Sequence, residues 1–138
     1  IFEKIKKILE SENLQAIVLS SMRTPKMTID LADKFLGNEN LVIKDIDKKA
    51  YLSGLSLAKY IVVTCDSTSM ISEAALTGKP IYIAEIPSKK NDDRFKKFRD
   101  MFGKMNISKK LDENVEIWTY KSLNETSRIA KEIKKKLL

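Results

Sequence analysis

The chain has 138 residues, 43% of them hydrophobic and 33% charged, and 26 lysines and arginines against 19 aspartates and glutamates give a formal net charge of +7. That length is enough for one real core, while 4 glycines and 3 prolines are too few for a disordered or fibrous chain. Without any histidine the commonest general base and most zinc sites are gone, and a lone Cys65 forbids an internal disulfide and points to a reducing compartment.

Ile1, Ile5, Ile8 and Leu9 recur at helical spacing among charged residues, and Asn13 closes that first helix. The run Ala16-Ile17-Val18-Leu19, ending in Ser20-Ser21, reads as a strand buried on both faces. Pro25 favours the first turn of a second helix, which carries Ile29, Ala32, Phe35 and Leu36 and ends at Gly37-Asn38. Leu41-Val42-Ile43 is the next strand, followed by a helix with Tyr51, Leu52, Leu55 and Ala58. Ile61-Val62-Val63 makes a third strand that runs into Cys65-Asp66-Ser67-Thr68-Ser69. The helix after it holds Met70, Ile71, Ala74 and Ala75 and stops at Gly78, and Pro80 precedes the strand Ile81-Tyr82-Ile83-Ala84. Asn91-Asp92-Asp93 opens a helix with Phe95, Phe98, Met101, Phe102 and Met105. A weak strand is expected through Val115-Glu116-Ile117-Trp118, then a capping box from Ser122 to Glu125 and a final helix with Ile129, Ile133 and Leu137 inside.

Strands and helices alternate throughout, and the strands are apolar runs without a period of two. That pattern implies an open, doubly wound α/β domain with a parallel sheet. The basic excess lies in two helical segments, Lys89 to Lys104 with seven basic residues against three acidic and Arg128 to Leu138 with five against one. Without interleaved aromatics, Lys134, Lys135 and Lys136 read as a solvated helix face and not as a nucleic-acid surface.

In such folds a ligand lies outside the carboxyl ends of the strands, which selects the loops Ser20–Thr24, Thr64–Ser69 and Glu85–Lys90. Ser67, Thr68, Ser69 and the amide of Met70 stand at a helix start, where unpaired amides and the helix dipole attract anions. Arg23 and Thr24 can approach the same anion. Hydroxyls at a helix start also serve as ordinary N-caps, but three of them beside Asp66 are more than one cap needs. Glu73, one residue too late for a capping box with Ser69, is either a solvated first-turn acid or a carboxylate placed for ribose hydroxyls. Cys65 reads as a buried, inert residue, Asp92-Asp93 as helix-opening acids without a third metal ligand, and no Walker loop or GxGxxG is present.

The stretch from Asp66 to Tyr82, Asp-Ser-Thr-Ser-Met-Ile-Ser-Glu-Ala-Ala-Leu-Thr-Gly-Lys-Pro-Ile-Tyr, resembles the C-terminal domain of the mitochondrial fission, elongated-mitochondria-like family. Ser21-Met22-Arg23-Thr24-Pro25, Tyr51 to Tyr60 and Trp118 to Ile129 are similar to further segments of that family. Bacterial members are labelled nucleoside-diphosphate-sugar epimerases, and the motif also resembles the donor-binding half of GT-B glycosyltransferases. The resemblance implies that Glu73 binds ribose hydroxyls, that Ser67–Met70 face a diphosphate, and that Ser20, Ser21, Arg23 and Thr24 help hold the phosphates. Met22 departs from the pattern, standing where an arginine is expected, and Lys59 replaces an aspartate.

The expected protein is therefore one Rossmann-like domain over residues 1–138, a piece of a longer two-domain chain since it begins at Ile1 without methionine. It would be the nucleotide-sugar-binding half of a GT-B-like glycosyltransferase, inactive alone. It would need no metal and no cofactor beyond the nucleoside-diphosphate sugar taken as substrate. The acceptor site and the unassigned catalytic residues would lie in an N-terminal domain. The parent would be cytoplasmic, with peripheral membrane association and no nucleic-acid partner, and no apolar run here approaches the roughly 18 residues of a membrane span. The alternative expectation is an interaction or scaffold domain that keeps the fold without glycosyl transfer.

Overall fold

The computed structural model describes residues 1–86, 93–122, 131 and 134–136. The third candidate loop beyond residue 86, the Asn91-Asp92 helix opening, Glu125 of the capping box and the Ile129/Ile133/Leu137 stripe lie outside the described residues. The chain forms two compact units, one of residues 1–57 with 112–115 and the other of residues 58–111 with 116–138.

In the first unit, α1 (Phe2–Glu12), β1 (Ile17–Leu19), α2 (Lys26–Leu36), a short 3-10 turn (Gly37–Glu39), β2 (Leu41–Ile43) and α3 (Lys48–Leu57) follow one another. α1 ends at Asn13, whose left-handed backbone (φ 51°) lets its N–H cap Leu9 O. β1 and β2 pair in parallel, with Ile17 opposite Leu41 and Leu19 opposite Ile43. Asn40 joins the pieces. Its Oδ1 accepts from Ala16 N at 2.6 Å and its Nδ2 donates to Leu36 O at 2.9 Å, tying the exit of α2 to the entry of β1. Ile8, Ile29, Ala32 and Leu36 form the buried core. The helical stripes are narrower than their periodicity suggests, because Phe35 and Leu52 stay exposed and α3 instead turns the buried Gly54 toward Leu19. Nor are these strands buried on both faces, since Ile17 and Leu41 each begin their strand in an exposed position.

The second unit contains β3 (Ile61–Thr64), α4 (Thr68–Ala75), β4 (Ile81–Ala84), α5 (Asp93–Lys104) and β5 (Ser108–Lys110), with the parallel order β3-β4-β5. β4 is buried at all four positions, as its unbroken apolar run requires for a central strand. Ile71, Ala74 and Ala75 of α4 and Phe98, Met101 and Phe102 of α5 are buried, with Ile71 and Phe102 fully enclosed. Parallel pairing alternating with helices makes this a Rossmann-like α/β fold.

The expected strand at Val115–Trp118 is not one; the third strand of this sheet is the polar Ser108–Lys110. Residues 116–120 instead form a strap fixed by side chains. Glu116 N donates to the Tyr82 hydroxyl at 2.8 Å, Trp118 Nε1 donates to Asn106 O at 2.8 Å, and the Tyr120 hydroxyl donates to Lys79 O at 2.6 Å. Trp118 meets Tyr82 edge-on at 5.3 Å and carries Lys109 over its ring at 4.5 Å, while Lys109 is ion-paired with Glu116. The backbone group at Glu116 that a ladder would use is thus taken by a phenol.

Candidate functional site

β3 ends at Thr64, and the chain must turn sharply to start α4. Cys65 N still donates to Ala84 O at 3.0 Å, so the β3–β4 ladder is held to its last rung. Ser67 N then donates back to Thr64 O at 3.1 Å, closing the turn, and Ile71 N donates to Ser67 O at 3.0 Å, beginning the helix. Ser67 is therefore the N-cap of α4, but its side chain makes no capping bond. The Ser67 Oγ neighbour is Thr64 Oγ1 at 3.4 Å, and Ser67 is only 7% exposed. The backbone amides of Thr68, Ser69 and Met70, in the first turn, thus receive nothing from the residue placed to cap them.

The remaining predicted residues of this cluster frame that turn. Asp66 and Ser69 are exposed, and Thr68 and Met70 are half-buried. Glu73 is exposed on the next turn of α4, four residues after Ser69 and so on the same helical face. Cys65 is buried, and its Sγ sits between the Ile86 N–H at 3.5 Å and the Ile86 carbonyl at 3.9 Å. It packs the end of β3 against the chain leaving β4, which is the structural part expected of it.

Two further residues complete this turn, Thr64 from the loop already selected and Arg99, which the sequence reading missed. Thr64 shares its hydroxyl with Ser67, and Arg99 of α5 donates from Nη1 to Cys65 O at 3.1 Å. Arg99 lies 34 residues from Cys65 inside a segment that reads as a solvated basic face, so only the fold reveals its position. The available signal was weak, since Arg99 is one of two arginines in that segment, Arg94 being the other, and an arginine's planar fork suits fixed contacts where lysine suits solvent.

The Ser20–Thr24 cluster belongs to the first unit and has a different internal economy. Ser20 Oγ donates to Lys44 O at 3.0 Å and also approaches Ile43 O at 3.4 Å. Ser21 N donates to Thr24 Oγ1 at 2.9 Å, the two hydroxyls are 3.1 Å apart, and Thr24 N donates to Ser21 O at 3.0 Å. These hydroxyls close the β1–α2 turn. Arg23 and Met22 are exposed at its tip, Met22 at 89%. Nearby, Lys44 pairs with Asp33 at 3.1 Å and Asp30 at 3.7 Å, and the Asp33 contact chiefly raises the lysine above its ordinary pKa.

Among the described residues no group of three or more Cys, Asp or Glu side chains could hold a metal ion, and no helix is long and apolar enough to cross a membrane. A hollow of about 430 Å³ on the first unit is lined by Lys26, Met27, Asp30, Leu31 and Lys34. All five lie on α2, so it is an open surface depression that includes none of the predicted residues.

The model of the mitochondrial fission ELM1 family matches residues 1–137. The chain belongs to the mitochondrial fission ELM1 family. It is 32% identical over 137 residues to the uncharacterized protein RP120 of Rickettsia prowazekii (strain Madrid E), covering 94% of this chain and 38% of that protein. It is 31% identical over 120 residues to the mitochondrial fission protein ELM1 of Arabidopsis thaliana, covering 85% of this chain and 28% of that protein. The chain thus spans about a third of the length of these two relatives. No solved structure matches it significantly.

Proposed function

We propose that this ELM1-family chain is the nucleoside-diphosphate-sugar-binding half of a GT-B-like glycosyltransferase. The observation that carries the reading is the β3–α4 turn, where a parallel strand ends against a helix whose first-turn amides are left uncapped by Ser67. A diphosphate accepts from those amides and gains from the helix dipole. Glu73, one helical turn on and exposed, accepts from the ribose hydroxyls. In a complete two-domain chain the same donors stabilise the leaving diphosphate as its charge develops, while the acceptor and any base come from the other domain. The lone, thiol-form Cys65 is in keeping with work in the cytoplasm.

Calorimetric titration of the 138-residue chain with UDP- and GDP-sugars tests this. Binding of one of them is expected, and Glu73→Ala should weaken it about tenfold or more, the worth of a hydrogen bond to a charged group. No heat with any nucleotide sugar would overturn the proposal and leave the scaffold role, which the family's fission name suits, as the reading to pursue.

A further inference from the structure

We infer that the outer face of α2, the row Met27, Leu31 and Phe35 with Lys26 and Lys34 beside it, is a docking surface for an anionic lipid bilayer. It is independent of the nucleotide reading above.

The first support is that α2 is apolar on two sides. Its inner stripe, Ile29, Ala32 and Leu36, is buried in the core of the first unit. One such stripe is what a surface helix needs, and the remainder of its circumference is ordinarily polar. Met27, Leu31 and Phe35 instead form a second row, each four residues after the last and so aligned along the helix, and they are 40–73% exposed. Phe2 of α1 prolongs the row, its ring 6.2 Å from that of Phe35. The turn leading into α2 adds the exposed Met22. The open hollow of about 430 Å³ lies along this face, lined by both apolar and basic side chains.

The second support is charge, and it chooses the occupant. Lys26, Asp30 and Lys34 make the neighbouring row, again at four-residue spacing. Both acids of the helix, Asp30 and Asp33, are engaged by Lys44 of the first unit, at 3.7 and 3.1 Å. Among the described residues no ion pair takes up Lys26 or Lys34, and both are exposed. A positive rim attracts anionic headgroups, and the apolar row enters the boundary beneath them, as in a helix lying in the plane of a membrane. A second copy of this chain would set the same positive rim against itself. Moreover, α2 has 11 residues and is about 16 Å long, so one face of it falls short of the roughly 800 Å² per partner of a stable protein interface.

The test is co-sedimentation of the 138-residue chain at low salt with vesicles of phosphatidylcholine alone or with about one-third phosphatidylglycerol. Wild type should bind the mixed vesicles and not the neutral ones. The double variant Met27→Ser, Leu31→Ser should lower binding about tenfold or more, and Lys26→Gln and Lys34→Gln should each lower it about fivefold. Lys96→Gln with Lys97→Gln, on α5, removes two charges elsewhere and should change binding less than about twofold. Leu31→Trp should add emission that bromine-labelled lipid quenches. Far-ultraviolet circular dichroism confirms folding, and the glutamine variants carry the test if the double serine variant does not fold. No binding by wild type overturns the proposal. An equal loss in the α5 variant marks mere adsorption of a cationic protein and also overturns it. So does a dimer in sedimentation velocity that the double serine variant abolishes, which would give this face to a second copy.

Discussion

At the residue scale, two tyrosines fix the strap and make it sensitive to alkali. Burial pushes the Tyr120 hydroxyl up to about 12, and burial also raises Tyr82 above its ordinary value. Both phenols are therefore harder to ionise folded than unfolded. Their contribution to stability is complete below about pH 10, the value in the unfolded chain, and is lost above it, for Tyr120 as the pH climbs through 10 toward 12. Denaturant titrations across that range should show the midpoint falling. Tyr120→Phe should flatten part of that fall while costing about 0.5–1.5 kcal/mol at neutral pH, the net worth of the bond to Lys79 O. Core residues obey volume instead. Phe102 is fully buried and its ring lies 4.4 Å from that of Phe98, so Phe102→Ala should destabilise the second unit by about 3–5 kcal/mol in chemical denaturation.

Among elements, the contrast between β4 and β5 explains what the sequence made legible. Ile81–Ala84 is an apolar run after a proline, and a strand buried on both faces is what such a run must become. Ser108-Lys109-Lys110 carries no such pattern; it is a strand because Leu111 N donates to Ile83 O and the register with β4 puts Ser108 opposite Ile81. Tertiary pairing overrode local preference there, and tertiary contacts overrode it again at Glu116–Trp118, where side chains expected in a strand sit in a strap. The turn chemistry was readable from Ser67, Ser69 and Glu73, but Arg99 was not, because its role depends on how α5 packs. Gly78 gives an element-level prediction. Its φ of +71° favours glycine, and an added Cβ would meet nothing within 4 Å. Gly78→Ala should cost about 1–2 kcal/mol, the price of a left-handed backbone alone, measured by thermal or denaturant unfolding.

For the whole molecule, the charge of +7 resolves into local arrangements. Lys7, Lys44, Lys109 and Lys110 are paired with carboxylates, while Lys96, Lys97 and Lys104 are exposed along α5. Phe95 is the exposed aromatic beside these lysines, and we expect so sparse an arrangement to bind no nucleic acid. Electrophoretic mobility assays with duplex DNA and single-stranded RNA at low salt should show no complex, and a steeply salt-dependent complex would contradict that.

The path of the chain between its units sets an order of completion. The first unit is not finished by its own first 57 residues, because residues 112–115 belong to it and Glu113 is bound to Lys7 of α1 at 2.6 Å. On a ribosome, that unit waits for its last piece until β5 of the second has been made. A cut after Leu57 therefore separates neither unit cleanly, and cleavage there would leave the amino-terminal fragment without the segment that closes it.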